Sequence, residues 1–521
     1  MKSNRVKFYT VLIGAFLFNL LFWQEKMGVN TLFYDAFLLT ALFSLYPEAR
    51  PVSTVRWLLA GHLICLAMVL IQNTVISMIA FSITLLLLVA FVQYLHRSAW
   101  FAAVSIFENM VFSIPNIFET LQKPSKAERP SRGIGKWIRF LIIPLGLLFI
   151  FFLLYVGSNN VFADFSEKII DKLTSLFFNF FDFVSWDRAG MLILGLFLST
   201  VLLLKSKLGV FSKSEAKLTD ILSRKRITLR DRKQGTIYQM LIGLLGKFAS
   251  GIMALKNINT VGILSLVFLN ILLFVVNSID ISYIWFGYRF GDKVNLYEMI
   301  HEGTGLLIFS ILLAIVVLLL VFRGNLNFYQ NNKWLKRAAY AWIFQNGILV
   351  ISVFLRDYYY IHESGLAYKR IGVIFYLVLV LVGLITVFWK IYKKRTNYFL
   401  IRVNAWAVIV LLVVASTIKW DRLIATYNIS QHINIVIPVD YMVTLSDEAL
   451  DILDQNRALL KEHNTLREKQ GFKWPYRNDI DQTIDLRIKQ FMEQQQAYSW
   501  LSWNLSDKQV KDYFSSQTVK K

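Results

Sequence analysis

Two groups of side chains in this chain have the types and spacing that chemistry needs. In the first, Glu298 and His301 stand in an E-x-x-H arrangement, which on a helix turns a carboxylate and an imidazole to one face. Tyr297 and Glu302 flank them, and Tyr368, Lys369 and Arg370 open a later apolar segment. Such a pair starts a metal site only if other helices add carboxylates, and the spacing arises often by chance. A structural ion-pair cluster is therefore preferred, a small-ligand or headgroup pocket comes next, and a metal site last. In the second group, Asp35 and His62 lie inside consecutive apolar runs. A carboxylate at the centre of a membrane helix costs about 2.5–3.5 kcal/mol on insertion scales, so such groups line cavities, relay protons or pair between helices. Asp35 sits close to the start of its run, and a structural contact is preferred over a proton or ion relay. The chain holds no P-loop, G-x-G-x-x-G, G-x-S-x-G or H-E-x-x-H pattern, and no cofactor is expected.

The elements that must position these residues are long and apolar. The chain has 521 residues, 56% of them hydrophobic, a mean hydropathy of +0.50 and a formal charge of +22. Its apolar residues come in blocks of about 16 to 25, the length that crosses a bilayer's hydrocarbon core. This pattern excludes a soluble enzyme, a disordered chain and a nucleic-acid-binding domain. One cysteine, Cys65, excludes a disulfide framework. The reading is an all-α polytopic bundle of about eleven spans. They are placed at 8–23, 31–46, 56–71, 74–95, 137–157, 189–204, 258–279, 303–322, 338–355, 371–389 and 399–418. Segments 98–120, 161–186 and 237–255 are apolar but interrupted or amphipathic, and are expected to lie along the membrane surface.

Charge orients the bundle. With the N-terminus inside, the inner segments together carry +26, the outer segments −4, and the tail after 418 carries equal numbers of basic and acidic residues, which accounts for the +22. Basic short loops stay cytoplasmic, so the expected location is the cytoplasmic (inner) membrane, N-terminus inside and C-terminus outside. The loop 205–236 holds ten basic and three acidic residues. It reads first as a topology determinant and second as a site for anionic lipid headgroups.

Four parts are expected: a four-span region at 1–97, two spans with basic inner loops at 98–257, a five-span unit at 258–418, and a small extracytoplasmic helical domain at 419–521. In the last, Ser446-Asp447-Glu448 reads as a helix start and Gly471 as its end, with a second helix from about 479. Trp500 and Trp503 either pack on these helices, the preferred reading, or meet the membrane surface as interfacial tryptophans do. Two such helices bury little alone, so the tail is expected to lean on the membrane part or on a second copy.

From about residue 258 onward, an ordered set of motifs resembles an uncharacterised bacterial membrane family, the domain of unknown function numbered 4173, close to that numbered 4153, in the version common in the Bacteroidetes. The residues are Asn270-x-x-Leu273-Phe274, Tyr297-Glu298-x-x-His301-Glu302-Gly303-x-Gly305, Phe322-Arg323-Gly324-Asn325, Trp342-x-x-Gln345-Asn346, Gly365-Leu366-x-Tyr368-Lys369-Arg370, Tyr427-Asn428, Asp440-x-x-x-x-Leu445-Ser446 and Trp500-x-x-Trp503-Asn504. The N-terminal third is similar only in hydropathy. The resemblance implies a multi-pass membrane protein with no established reaction, so it assigns no functional residue. The expected role is a binding or regulatory envelope protein that uses its outer face and tail, with an envelope component as partner. The alternative is a small-solute transporter, proton-coupled through Asp35 and His62.

Overall fold

The computed structural model describes residues 4–121, 185–224, 254–286, 293–322, 324–476 and 479–518, with positions 148, 162, 166 and 168, and describes 293–304 through the backbone alone. Among the described residues every regular element is helical, apart from one isolated bridge between Ile221 and Arg395. In chain order the first helices are α1 (Asn4–Phe22), α2 (Val29–Leu45), α3 (Ser53–Ile71), α4 (Val75–Tyr94), α5 (Ala99–Val111), α6 (Ser113–Leu121), α7 (Trp186–Leu203) and α8 (Val210–Ala216). Then come α9 (Ala254–Asp280), α10 (Lys293–Val321), α11 (Lys333–Ser364), α12 (Tyr368–Lys393) and α13 (Asn397–Ser416).

Eight helices among the described residues are long and apolar enough to cross a membrane: Arg5–Phe22, Ser53–Ile71, Val75–Tyr94, Trp186–Leu203, Leu255–Trp285, Lys333–Ser364, Tyr368–Lys393 and Asn397–Ser416. The predicted spans 31–46 and 303–322 correspond to the shorter apolar helices Val29–Leu45 and Gly305–Val321. The predicted span 137–157 and the segments 161–186 and 237–255 fall almost wholly outside the described residues. Over 98–120 two short helices, α5 and α6, meet at Phe112.

Helices α9 and α11 run well past the ends of their predicted spans. Leu255–Trp285 has 31 residues and Lys333–Ser364 has 32, against 258–279 and 338–355. At a rise of 1.5 Å per residue each reaches about 45 Å, well past a 30 Å hydrocarbon core. The apolar pattern stops at Asp280 and Arg356, but these two charges pair with each other and the helices continue through them.

The chain divides into two compact units. One comprises 1–24, 34–45 and 109–206. In it α1 lies along α7, and small residues set the approach: a Cβ on Gly195 would stand 2.9 Å from the Ala15 carbonyl oxygen, and one on Gly14 would stand 2.7 Å from Ser199 Oγ. Tyr34 closes this contact by bonding Ser199 Oγ at 3.2 Å.

The other unit comprises 25–33, 46–108 and 207–521. One of its cores runs through α9 to α13 and buries Leu266, Ile311, Leu318, Leu335, Leu349 and Val353. Helices α9 and α11 run parallel along a polar seam that repeats every seven residues of α11. Asn270 Nδ2 donates to the Ala338 carbonyl (3.0 Å), Asn277 Nδ2 to that of Gln345 (3.1 Å) and Trp285 Nε1 to Ser352 Oγ (3.0 Å), while Tyr359 OH donates to the Ile284 carbonyl (3.3 Å). Gln345 Nε2 closes back on Asn270 Oδ1 at 2.7 Å. A seven-residue polar register fixes how two apolar helices slide against each other, since any other offset strands these groups in lipid.

Residues after Ser416 form α14 (Trp420–Ser430), α15 (Val439–Met442), α16 (Leu450–Gln455), α17 (Arg457–Lys469), α18 (Ile480–Ala497) and α19 (Leu505–Thr518). The single helix expected from Ser446 to Gly471 is two, hinged at Asn456, whose φ of −115° and ψ of 22° leave the helical basin. The start near 479 is capped by Asp479, whose Oδ1 accepts the Gln482 N–H at 2.7 Å. Leu450, Leu453, Leu460, Ile480, Ile484 and Phe491 are buried. Leu366 and Ile371 share one core with Leu453, Leu460, Ile480 and Ile484, so the tail packs on the N-terminal end of α12.

Candidate functional site

The corner between α11 and α12 gathers more of the singled-out residues than any other described place. Gly365 sits at φ +81°, and a Cβ there would stand 2.6 Å from Asn428 Oδ1. Glycine is needed both for the backbone angle and for that approach. Asn428 then pairs with the backbone of Leu366 on both sides: Oδ1 accepts its N–H at 2.6 Å and Nδ2 donates to its carbonyl at 3.0 Å. Two residues on, the Tyr368 N–H donates to Tyr441 OH at 3.1 Å. The Tyr368 side chain faces Asp421 and Glu448 of the tail.

Arg370 is committed locally. It donates to the carbonyls of Ser364 (2.9 Å) and Gly365, the open end of α11, and its guanidinium lies 4.1 Å from the centre of the Tyr360 ring. A cation there satisfies carbonyls that the helix leaves without partners. Lys369 is exposed. The predicted triplet is thus divided: Tyr368 and Arg370 build the corner, and Lys369 faces outward.

Tyr297, Glu298, His301 and Glu302 lie in the N-terminal turns of α10, and their side chains fall outside the described residues. The backbone register still places them. Helices α10 and α12 are parallel, tied at their C-terminal ends by Lys390 Nζ donating to the Phe322 carbonyl at 3.4 Å. About twenty residues, or 30 Å, separate that level from both Glu302 and Arg370. The two predicted halves of the cluster therefore belong to the same end of this unit.

Reasoning from the sequence missed three charges at that end. Arg356 stands 2.5 Å from Asp280, with both side chains under a tenth exposed. Asp357, the next residue on α11, is also buried. Residues 281–285 form a π-turn directly after Asp280. A π-turn is common where a helix re-aims a side chain, and here Trp285, its last residue, reaches Ser352. The signal available in the sequence was the pair of charges at the ends of two apolar runs, which read as loop starts.

Asp35 is buried in α2, in the first unit, and His62 is fully buried in α3, in the second. His62 Nδ1 bonds Thr84 Oγ1 at 3.0 Å and its ring stacks on Phe81 at 5.0 Å. That is a packed polar contact between neighbouring helices.

A second buried network was not foreseen. His96 Nδ1 and Glu215 Oε2 lie 2.6 Å apart, and His96 Nε2 and Ser105 Oγ 2.8 Å. Tyr398 OH donates to Glu215 Oε1 at 2.6 Å, as does the Ser98 N–H at 2.8 Å. Hydroxyl, imidazole and carboxylate are in the order of a hydrolase triad, but Ser105 is 0% exposed and presents no surface to a substrate. The network is a staple. It fastens α8 to the α4–α5 connection and to α13, beside the Arg402–Asp220 ion pair at 2.6 Å. Burial works to raise the Glu215 pKa, yet the bonds from His96 and Tyr398, the His96 charge and the Arg97 N–H together hold it below the usual carboxylate value.

Comparison with known proteins gives a family match. A family model described as a domain of unknown function (DUF4153) matches residues 36–456. It reaches into the N-terminal region, where sequence motifs had carried no resemblance, and includes the Gly365 corner. No curated protein matches the chain, and no solved structure does.

Proposed function

The chain belongs to the DUF4153 family, and we propose that it is a binding or regulatory protein of the cytoplasmic (inner) membrane that holds residues 419–521 as a fixed platform on the outer face. In this reading the eleven predicted spans set the N-terminus inside and the tail outside. The end of the five-helix unit that carries Tyr368, Arg370, Asp280, Arg356 and Asp357 forms the floor of the platform, with Tyr297, Glu298, His301 and Glu302 contributed by α10. The observation that carries it is the seating of Asn428 on the backbone of Leu366 across Gly365. A tail built only to be tethered needs no glycine-dependent seat, whereas a surface that recognises an envelope component gains from being held rigid.

The opposite end suits a lipid surface. Leu208, Val210, Leu218 and Ile221 are exposed between the exposed Lys207, Lys213 and Lys217, and the staple at Glu215 holds this stretch against the bundle. Apolar and basic side chains so mixed fit anionic headgroups of the inner leaflet. The second reading, a transporter coupled through Asp35 and His62, is favoured only by the burial of both groups in apolar helices.

The test is complementation of a deletion strain, with membrane abundance checked for each variant. Asn428→Ala and Gly365→Val should fail to restore the wild-type phenotype, while Asp35→Asn and His62→Ala restore it. The reverse pattern would overturn the platform reading in favour of transport. A reporter active only outside the cytoplasm, fused after Lys521, should be active.

A further inference from the structure

The turn between α18 and α19 is held to the α1–α2 connection by a dense set of polar contacts. The Glu25 carboxylate accepts the Ser499 N–H at 3.1 and 3.2 Å and also the Ser502 hydroxyl. Ser502 Oγ accepts the Lys26 N–H at 3.0 Å, the Val29 N–H donates to the Trp503 carbonyl at 3.2 Å, and Lys26 Nζ pairs with Asp507. Gly28 lies so close to the Ser502 backbone that a Cβ would stand 2.5 Å from its carbonyl carbon. These bonds do not serve to bury the turn's large side chains. Trp500 is 67% exposed and Trp503 44%. The expectation that both would pack on the tail helices is not met.

What lies beside them is the first turn of an apolar helix. Trp500 meets the Phe33 ring edge-on at 6.0 Å between centres, and Phe33 and Leu32 are themselves 47% and 38% exposed. Phe33 and Leu32 lie in the first turns of α2, so the Trp500 indole continues an exposed apolar face of that helix. An indole has a large apolar body and one N–H donor, and it partitions to the headgroup layer between water and hydrocarbon.

We propose that Trp500 and Trp503, with Phe33, insert into the headgroup layer of the leaflet where α2 begins. The α18–α19 turn then rests on the bilayer as a tryptophan foot, and the clasp from Glu25 to Asp507 sets its height. The proposal rests on the chain's being a membrane protein and is independent of which leaflet is involved or what the platform binds.

The experiment uses the full chain in phosphatidylcholine nanodiscs with Cys65→Ser as background. Nitroxide labels are placed by W500C and W503C, by Ile83→Cys as a lipid-facing reference, and by Lys511→Cys as a water-facing one. Relaxation by oxygen relative to a water-soluble nickel chelate should put labels 500 and 503 several-fold above label 511, towards label 83. Ratios equal to that of label 511 would overturn the proposal. The second measurement needs no label. In lipid brominated near the headgroup, a W500F/W503F chain should lose part of the quenchable tryptophan emission of the parent, and an unchanged quenched fraction would also overturn it.

Discussion

Asn428 holds Leu366, 62 residues earlier in the chain, by both its N–H and its carbonyl, at 2.6 and 3.0 Å. A carboxamide that satisfies two buried backbone groups is hard to replace, because removing it leaves both unpaired at about 1–3 kcal/mol each. Asn428→Ala should therefore loosen the tail without unfolding the bundle. Gly365→Ala should do the same, since φ +81° and a contact of 2.6 Å both oppose a Cβ. Limited proteolysis of the full chain in detergent would show new cleavage between α13 and α18 in both variants, with α9–α13 still protected. Unchanged protection in Asn428→Ala would mean that the apolar core alone docks the tail.

The Asp280–Arg356 pair gives a different kind of expectation. Burying two charges is expensive, and their attraction only roughly repays it. Removing one partner leaves the other buried and uncompensated. Arg356→Met should cost about 3–5 kcal/mol, while the double variant Asp280→Leu/Arg356→Met should be less destabilised than either single one. Thermal unfolding in detergent measures this ordering. Equal or additive losses would show that water already reaches the pair.

Much of the membrane architecture was legible because hydrophobic length is a strong signal. The helices expected at 56–71, 74–95, 371–389 and 399–418 each have a counterpart within a few residues. The ends of α9 and α11 were not legible, because Asp280 and Arg356 stop a hydropathy pattern when read singly and continue a helix when paired. The motif residues were found as residues but not as partners. Asn270 and Gln345 bond each other across the seam, and Gly365 and Asn428 form one seat, yet each pair lies more than 60 residues apart in sequence. His96 and Glu215 carried no local signal at all. One follows a left-handed turn at Leu95 (φ +54°) and the other sits in a seven-residue helix within a basic loop.

The staple at Glu215 should respond to acid. Its folded carboxyl is held below the ordinary value of 4.5, so its contribution is present above that value and is lost as pH falls through the folded pKa. Hydrogen exchange of the amides of Leu218 and Leu222 should then rise on acidification below about 4.5. Glu215→Gln should raise exchange already at neutral pH and remove the acid response. His96→Ala should act in the same direction. If Glu215→Gln exchanges like the wild type at pH 7, the Asp220–Arg402 and backbone contacts hold the loop without it.

The tail should show the opposite dependence at Glu448. Burial, and then the neighbouring charge of Asp421, push its carboxyl up to about 7. The folded tail keeps the proton up to about pH 7, while the unfolded chain releases it near 4.5. Stability is therefore highest below 4.5, falls as pH rises through the window between those values, and is flat above it. The loss is on the order of 3 kcal/mol. His463 works against this. Burial lowers its pKa below 6.5, so its contribution is lost as pH falls through that region. Glu448→Gln separates the two. Amide exchange at Leu450 and Leu453 in the full chain should slow at pH 8 relative to the wild type, and the remaining dependence should reverse, with protection declining only on acidification. A Glu448→Gln chain that still loses protection between pH 5 and 7 would place the responsible proton elsewhere in the tail.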